Sequence, residues 1–287
     1  MRLSLLERTV RDRALRAMLY ETAVHPKPGL VGPFDAGAHR DMTRFTFIDS
    51  AVALAPWMPL FVRAGFRRRA AAPGDLLPVV RRIGRRAERA MFRATGGVNT
   101  HKGLLFSFAI LCAAVGLLAS REEPASPERL SAVASGIVGG IVERELASLL
   151  VTPPSRPLTA GERLYLSHGL TGVRGEAELG FPTVVRHALP FLREALDSGR
   201  SPAEAGTDTL CVIMTRSDDT NVVHRAGIEG LEFMRATARK ILAAGGMSTA
   251  EGRLLLAEAE RAFMERDISP GGSADLLAVA FMLYFFV

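Results

Sequence analysis

At 287 residues the chain is long enough for one large domain or two small ones, and 48% hydrophobic with 23% charged residues excludes a disordered polypeptide. The net charge of +6 rests almost wholly on arginine, the lysines being Lys27, Lys102 and Lys240, two of them in glycine-rich segments where ammonium and guanidinium are not interchangeable. Cys112 and Cys211 lie far apart in apolar runs, which excludes a disulfide framework and a paired-cysteine metal or redox motif and predicts two reduced core residues.

Residues 4 to 24 predict an amphipathic helix with Leu5, Leu6, Val10, Leu15, Leu19 and Ala23 on or near one face, stopped by Pro26 and Pro28. This stretch alternates arginine with Glu7 and Asp12 and lacks a cleavable apolar leader, so the expectation is a cytoplasmic protein. The following loop, Pro26-Lys27-Pro28-Gly29-Leu30 and then Gly37 to Met42, combines proline stiffness and close backbone approach at Gly29 with Lys27, His39 and Asp41 as ligand contacts. An ordinary structured turn is the competing reading.

Arg81, Arg85, Arg89 and Arg93 recur every fourth residue, which reads as a solvated basic helix face. Glu88 is the exception, placed two turns before the next loop, where it could reach a metal. That loop, Thr95-Gly96-Gly97-Val98-Asn99-Thr100-His101-Lys102-Gly103, leads into an apolar helix from Leu104 to Leu118. With Asn99 or Thr100 as N-cap, free backbone N–H groups, the helix dipole and Lys102 suit a phosphate, with Thr95 and His101 as further contacts. The apolar stretches at 104–118 and 276–287 are shorter than the ~20 residues of a bilayer span and read as buried helices, with no membrane association.

Ser126-Pro127 places proline at a first helical position, and residues 151–157 form the one clear surface loop. In Gly169-Leu170-Thr171-Gly172-Val173-Arg174-Gly175-Glu176-Ala177-Glu178, Arg174 offers a phosphate fork. Glu176 and Glu178 cannot share a helix face, and Glu178 fits the first turn of a helix. Ser201 to Glu204 and Ser248 to Glu251 both fit a capping box. Asp218, Asp219, Asn221 and Arg225, together with Ser269-Pro270-Gly271-Gly272-Ser273-Ala274-Asp275, supply oxygens that suit Mg²⁺, which takes one or two carboxylates plus ligand phosphates. Asp218, Asp219 and Ser273 read equally as helix caps.

No period-2 run appears between breakers, so the fold class is all-α, one compact multi-helix domain over residues 1–287 with its active site on glycine-rich inter-helix loops. Lys27, Asp41, Asn99, Lys102, Arg174, Asp219 and Asp275 are expected to converge on one pocket, because short turns return a helical chain repeatedly to the same face.

The segments at 26–30, 37–42, 97–103, 169–177, 219–221 and 269–275, in that order, resemble the triphosphoribosyl-dephospho-CoA synthase family over nearly the whole chain. The resemblance implies an all-α transferase that moves the 5-triphosphoribosyl unit of ATP to the 2′-hydroxyl of 3′-dephospho-CoA and releases adenine. Its α-configured product, made from a β nucleotide, implies a single inverting displacement. It further implies a prosthetic-group precursor for the acyl carrier subunit of citrate lyase or malonate decarboxylase, with a downstream carrier-protein transferase as partner. Residues 158–190 are closer to the citrate lyase branch.

An oxocarbenium-like transition state needs a carboxylate near the incoming hydroxyl and cations that orient the triphosphate. Asp219 and Glu176 are the candidate catalytic carboxylates. Lys27, Gly29, His39, Thr95, Asn99, Thr100, His101, Lys102, Arg174, Asn221 and Arg225, with Gly271, Gly272 and Ser273, are expected to bind nucleotide, and Asp41, Glu88 and Asp275 to hold Mg²⁺. The chain departs from the family pattern where Gly32-Pro33 replace an Asp-Arg pair and Asp35 replaces an Asn. Two competing readings are a Mg²⁺-dependent ADP-ribosyl-type hydrolase and a basic helical binding module. No aromatic residues interleave with the arginines, which argues against nucleic acid.

Overall fold

In the computed structural model, which describes residues 4–151 and 154–286, helix α1 (Leu5–Ala23) opens on a capping box. The Glu7 carboxylate accepts the Ser4 N–H at 2.8 Å while the Ser4 hydroxyl accepts the Glu7 N–H at 3.2 Å. Its buried stripe is Val10, Ala14, Ala17 and Met18. Leu6, Val10, Leu15 and Leu19 of the expected face pack on the core, while Leu5 and Ala23, at the two ends of the helix, are exposed.

A 3₁₀ turn at Ala55–Trp57 separates α2 (Arg44–Leu54) from α3 (Met58–Phe66), and α4 (Leu77–Ala94) runs to the Thr95 loop. Helix α5 (Lys102–Ser120) is the central strut, buried along almost its whole length against α3, α4 and α6 (Pro127–Val138). Gly65 and Gly116 let α3 and α5 touch backbone to backbone: a β-carbon at either would overlap a carbonyl of the other helix, Ala113 or Val62. By length and composition, α5 and the interrupted stretch Arg44–Phe66 could each cross a bilayer, but 83% of the apolar window of α5 is buried inside the fold. Each fully buried leucine or phenylalanine there contributes about 1.5–3 kcal/mol.

Short helices α7 (Ile141–Glu145), α8 (Ala160–His168) and α9 (Gly172–Glu178) follow. Glu178 ends α9 rather than opening a helix, and its carboxylate accepts the Val142 N–H. The second half comprises α10 (Leu189–Asp197), α11 (Pro202–Met214), α12 (Thr220–Ala243), α13 (Ala250–Glu265) and α14 (Gly271–Tyr284). Helix α12 is broken at Gly227, whose φ of 70° and ψ of −175° suit only glycine.

The caps at Ser126 and Ser201 form as expected. That of α13 shifts by one residue, with Thr249 as N-cap accepting the Gly252 N–H, so Glu251 does not complete a box with Ser248. Cys112 and Cys211 are free and buried, and burial pushes both thiols up. Among the described residues no strand occurs. Thr152 and Pro153 of the expected surface loop, and Val287, lie outside the described residues.

Candidate active site

Helices α5, α12 and α14 begin at one end of the bundle, and their first turns, together with α9 and the 26–42 loop, line a cleft of about 600 Å³. That volume suits one nucleotide-sized ligand, since small-molecule sites span about 300–1,000 Å³. Three N-terminal helix dipoles converge there and favour an anion.

The buried Asp219 carboxylate holds α12 and α14 together. Oδ1 accepts the N–H groups of Asn221 (3.0 Å), Val222 (3.2 Å) and Gly272 (3.3 Å), and Oδ2 accepts the N–H (2.7 Å) and hydroxyl (2.9 Å) of Ser273. Burial raises its pKa against these donors. With both oxygens engaged, Asp219 is an N-cap and a clamp, the cap being one of the two readings its sequence position allows. Ser273 is not a cap; it lies under the floor, bound to Asp219 and to Ser217.

Glu176 lines the cleft. Oε1 accepts the Thr183 N–H at 2.9 Å, and burial, opposed by the hydrogen bonds of Thr183 and helped slightly by Asp218, holds this carboxyl above its ordinary value. Asp275 sits under Gly103 and is held well above the usual carboxylate range, first by burial and then by the nearby charges of Glu21 and Asp219.

Lys27 is not a free phosphate contact, contrary to expectation. It is 3% exposed, and its Nζ donates to the carbonyl (2.7 Å) and the Oε1 (2.5 Å) of Glu21, the helix end from which its own loop departs. Lys102 pairs at 2.8 Å with Glu88. Both ends are partly solvated, so the pair contributes only about 0–1 kcal/mol and can be exchanged for a phosphate. Arg174 donates to Glu145 at 3.1 Å.

His101 is neutral, its pKa pulled down to about 3 by burial and then by the charge of Lys27. Thr100 Oγ1 donates to Ser50 Oγ (2.7 Å), which leaves the Ser50 hydroxyl to donate to His101 Nδ1 (2.7 Å). The proton then resides on Nε2, which is buried and, among the described residues, without a partner, in a side chain that lines the cleft. Asn99 accepts the Lys102 N–H at 3.3 Å, although the helix N-cap itself is His101. His39, Asn221, Gly271 and Gly272 also line the cleft, and His39 Nε2 bonds Ser269 Oγ at 2.7 Å.

Several expected contacts lie elsewhere. Thr95 spends its hydroxyl on the carbonyls of Met91 and Val98, closing the end of α4. Gly29 (φ 73°) presses against the Ile268 carbonyl, and Arg225 ties Ala38 to Asp267, so both dock the first loop onto the α13–α14 connection. The three expected metal ligands do not assemble: Asp275 lines this cleft, Glu88 lines a neighbouring one, and Asp41 is an exposed residue beside His39. Among the described residues, His25, Asp35 and Glu260 do bring ligand atoms within 4.8 Å of one another, away from the cleft lining.

The profile of the CitG family, ATP:dephospho-CoA triphosphoribosyl transferase, matches residues 7–287. The chain belongs to this family. It is also similar to a solved Archaeoglobus fulgidus protein provisionally assigned as a triphosphoribosyl-dephospho-CoA synthase, at 16% identity, covering 82% of this chain and 96% of that one with a TM-score of 0.48. As a member of this family the chain is a transferase whose family substrates are ATP and dephospho-CoA.

Gly32-Pro33 and Asp35, its departures from the family pattern, do not line the cleft. Asp35 instead accepts the Gly37 N–H at 2.8 Å within its own turn. The main residue missed from sequence is Glu21. Its signal was a carboxylate on the buried stripe of α1, seven residues beyond Ala14 and buried with it.

Proposed function

We propose that this protein transfers the 5-triphosphoribosyl unit of ATP to the ribose 2′-hydroxyl of 3′-dephospho-CoA. The observation that carries this reading is the joining, in one nucleotide-sized cleft, of the family's ordered motifs from α5, α9, α12 and α14. The bond between ribose C1 and adenine breaks as the bond from the acceptor 2′-oxygen to C1 forms. Adenine leaves with the electron pair and takes up a proton, and Glu176, which lines the cleft with its pKa raised by burial, accepts the proton of the attacking hydroxyl. Asp219 is a positioning residue that takes up the first-turn N–H groups of α12 and α14 and so fixes those turns, while the helix dipoles, Lys102 and Arg174 orient the phosphates. The Nε2–H of neutral His101 donates to the bound nucleotide.

Asp275, the one expected ligand that lines the cleft, is the carboxylate that would hold Mg²⁺ together with the nucleotide phosphates. When bound, Mg²⁺ supplies charge neutralisation for the triphosphate. The product passes through a carrier-protein transferase in the cytoplasm, and the likeness of residues 158–190 to the citrate lyase branch supports that lyase's acyl carrier subunit as its destination. The deciding experiment incubates the protein with ATP, Mg²⁺ and dephospho-CoA. Expected are free adenine and a dephospho-CoA adduct heavier by one triphosphoribosyl unit; adenine released equally without dephospho-CoA makes it a hydrolase instead.

A further inference from the structure

A second cleft of about 720 Å³ opens beside the first, and Lys102, Gly103, Val173 and Arg174 form the wall common to both. It runs along one face of α4 and holds Arg81 and Arg85, the part of the basic helix that the sequence reads as merely solvated. Arg144 and Arg156 add cations from α7 and the loop before α8, while Val80, Leu105, Phe106, Ala109 and Leu149 provide apolar lining.

Resting on the transfer reading above, we propose that this second cleft holds the diphosphate and pantetheine arm of the acceptor, while the first holds ATP. A displacement in which both substrates are bound together needs room for two large ligands, and a first cleft of about 600 Å³ takes one. Positive charge over an apolar bed matches an anionic diphosphate followed by an uncharged chain.

The ion pairs narrow the assignment. Arg81 and Arg174 share Glu145, Lys102 pairs with Glu88, and Arg156 grips Glu162 through two hydrogen bonds of 2.7 and 2.9 Å. Arg85 and Arg144 are exposed, and among the described residues neither has a carboxylate within ion-pair distance. They are the cations available to the diphosphate.

The test compares the wild type with Arg85→Ala/Arg144→Ala and with Ser148→Trp, which fills the cleft from an exposed position. Calorimetry measures ATP, dephospho-CoA and, with ATP saturating the first cleft, ADP, which has a diphosphate but no pantetheine, and steady-state assays measure adenine release. The double variant should weaken dephospho-CoA and ADP by about 10-fold to 100-fold, the range for lost charge-assisted hydrogen bonds, and leave ATP unchanged. Ser148→Trp should raise KM for dephospho-CoA while ADP binds as before. If the wild type releases adenine with dephospho-CoA but both variants bind it normally, or if ATP weakens in parallel, the inference falls and the transfer reading stands. If the wild type shows no adenine release dependent on dephospho-CoA, the transfer reading falls and takes the inference with it.

Discussion

The backbone of Gly103 runs against the Asp275 carboxylate so closely that a β-carbon on residue 103 would overlap Oδ2. Gly103 lies in the first turn of α5, where alanine is conformationally favourable. The glycine is therefore required by the carboxylate, not by the helix.

Gly103→Ala should accordingly leave a folded, helical protein and cut kcat by about 10²-fold, the scale expected when a site group is displaced by about 1 Å. Circular dichroism and adenine-release kinetics check this. Near wild-type turnover would show that the position of Asp275 is unimportant.

Asp275→Asn should exchange activity for stability. Its folded-state pKa lies well above the ordinary value, so the folded protein binds this proton more tightly than the unfolded chain, and stability declines as pH rises toward the folded-state pKa. The amide removes that decline. The variant should melt above wild type at pH 8, by roughly 2–4 °C for each kcal/mol relieved, with the gap closing toward pH 4. A Tm below wild type at pH 8 would count against the crowding of Asp275 by Glu21 and Asp219.

Glu176 gives the pH profile of the reaction. As a base it acts when deprotonated, and burial raises its pKa, so kcat/KM should climb with pH through an inflection above the ordinary glutamate value of 4.5. Glu176→Gln, which still accepts the Thr183 N–H, should lose about 10² to 10⁴ in kcat together with that inflection. Retention of the acidic limb in the variant would move the base elsewhere.

Lys102→Ala should weaken ATP by about 10-fold to 100-fold with no change in Tm, because its pair with Glu88 is partly solvated and contributes little to folding. Glu88→Gln frees the ammonium and should tighten ATP modestly. Titration calorimetry on both variants separates the phosphate role from a structural one.

The local signals legible in the chain were those that depend on near neighbours. Helical spacing made the all-α class visible, Ser126 and Ser201 announced their helices, and the long apolar run from Leu104 marked the buried α5. Glycine-rich polar loops named most of the cleft, because backbone freedom beside charged side chains leaves its mark in residue type; of the seven residues expected to converge, only Asp41 fails to line it.

Tertiary structure decided where each side chain spends its hydrogen bonds. Lys27 turns to Glu21, Arg225 reaches across to Ala38, and Glu145 is shared by Arg81 and Arg174, partners fixed by how helices pack and not by the spacing of the motifs. Asp219 looked equally like a cap and a base; only the arrival of the first turn of α14 beside α12, some fifty residues later in the chain, filled both of its oxygens. The same packing set Gly103 against Asp275 and opened a second cleft beside the Arg81–Arg85 face, because a helix surface becomes a binding wall only when another element stands opposite it.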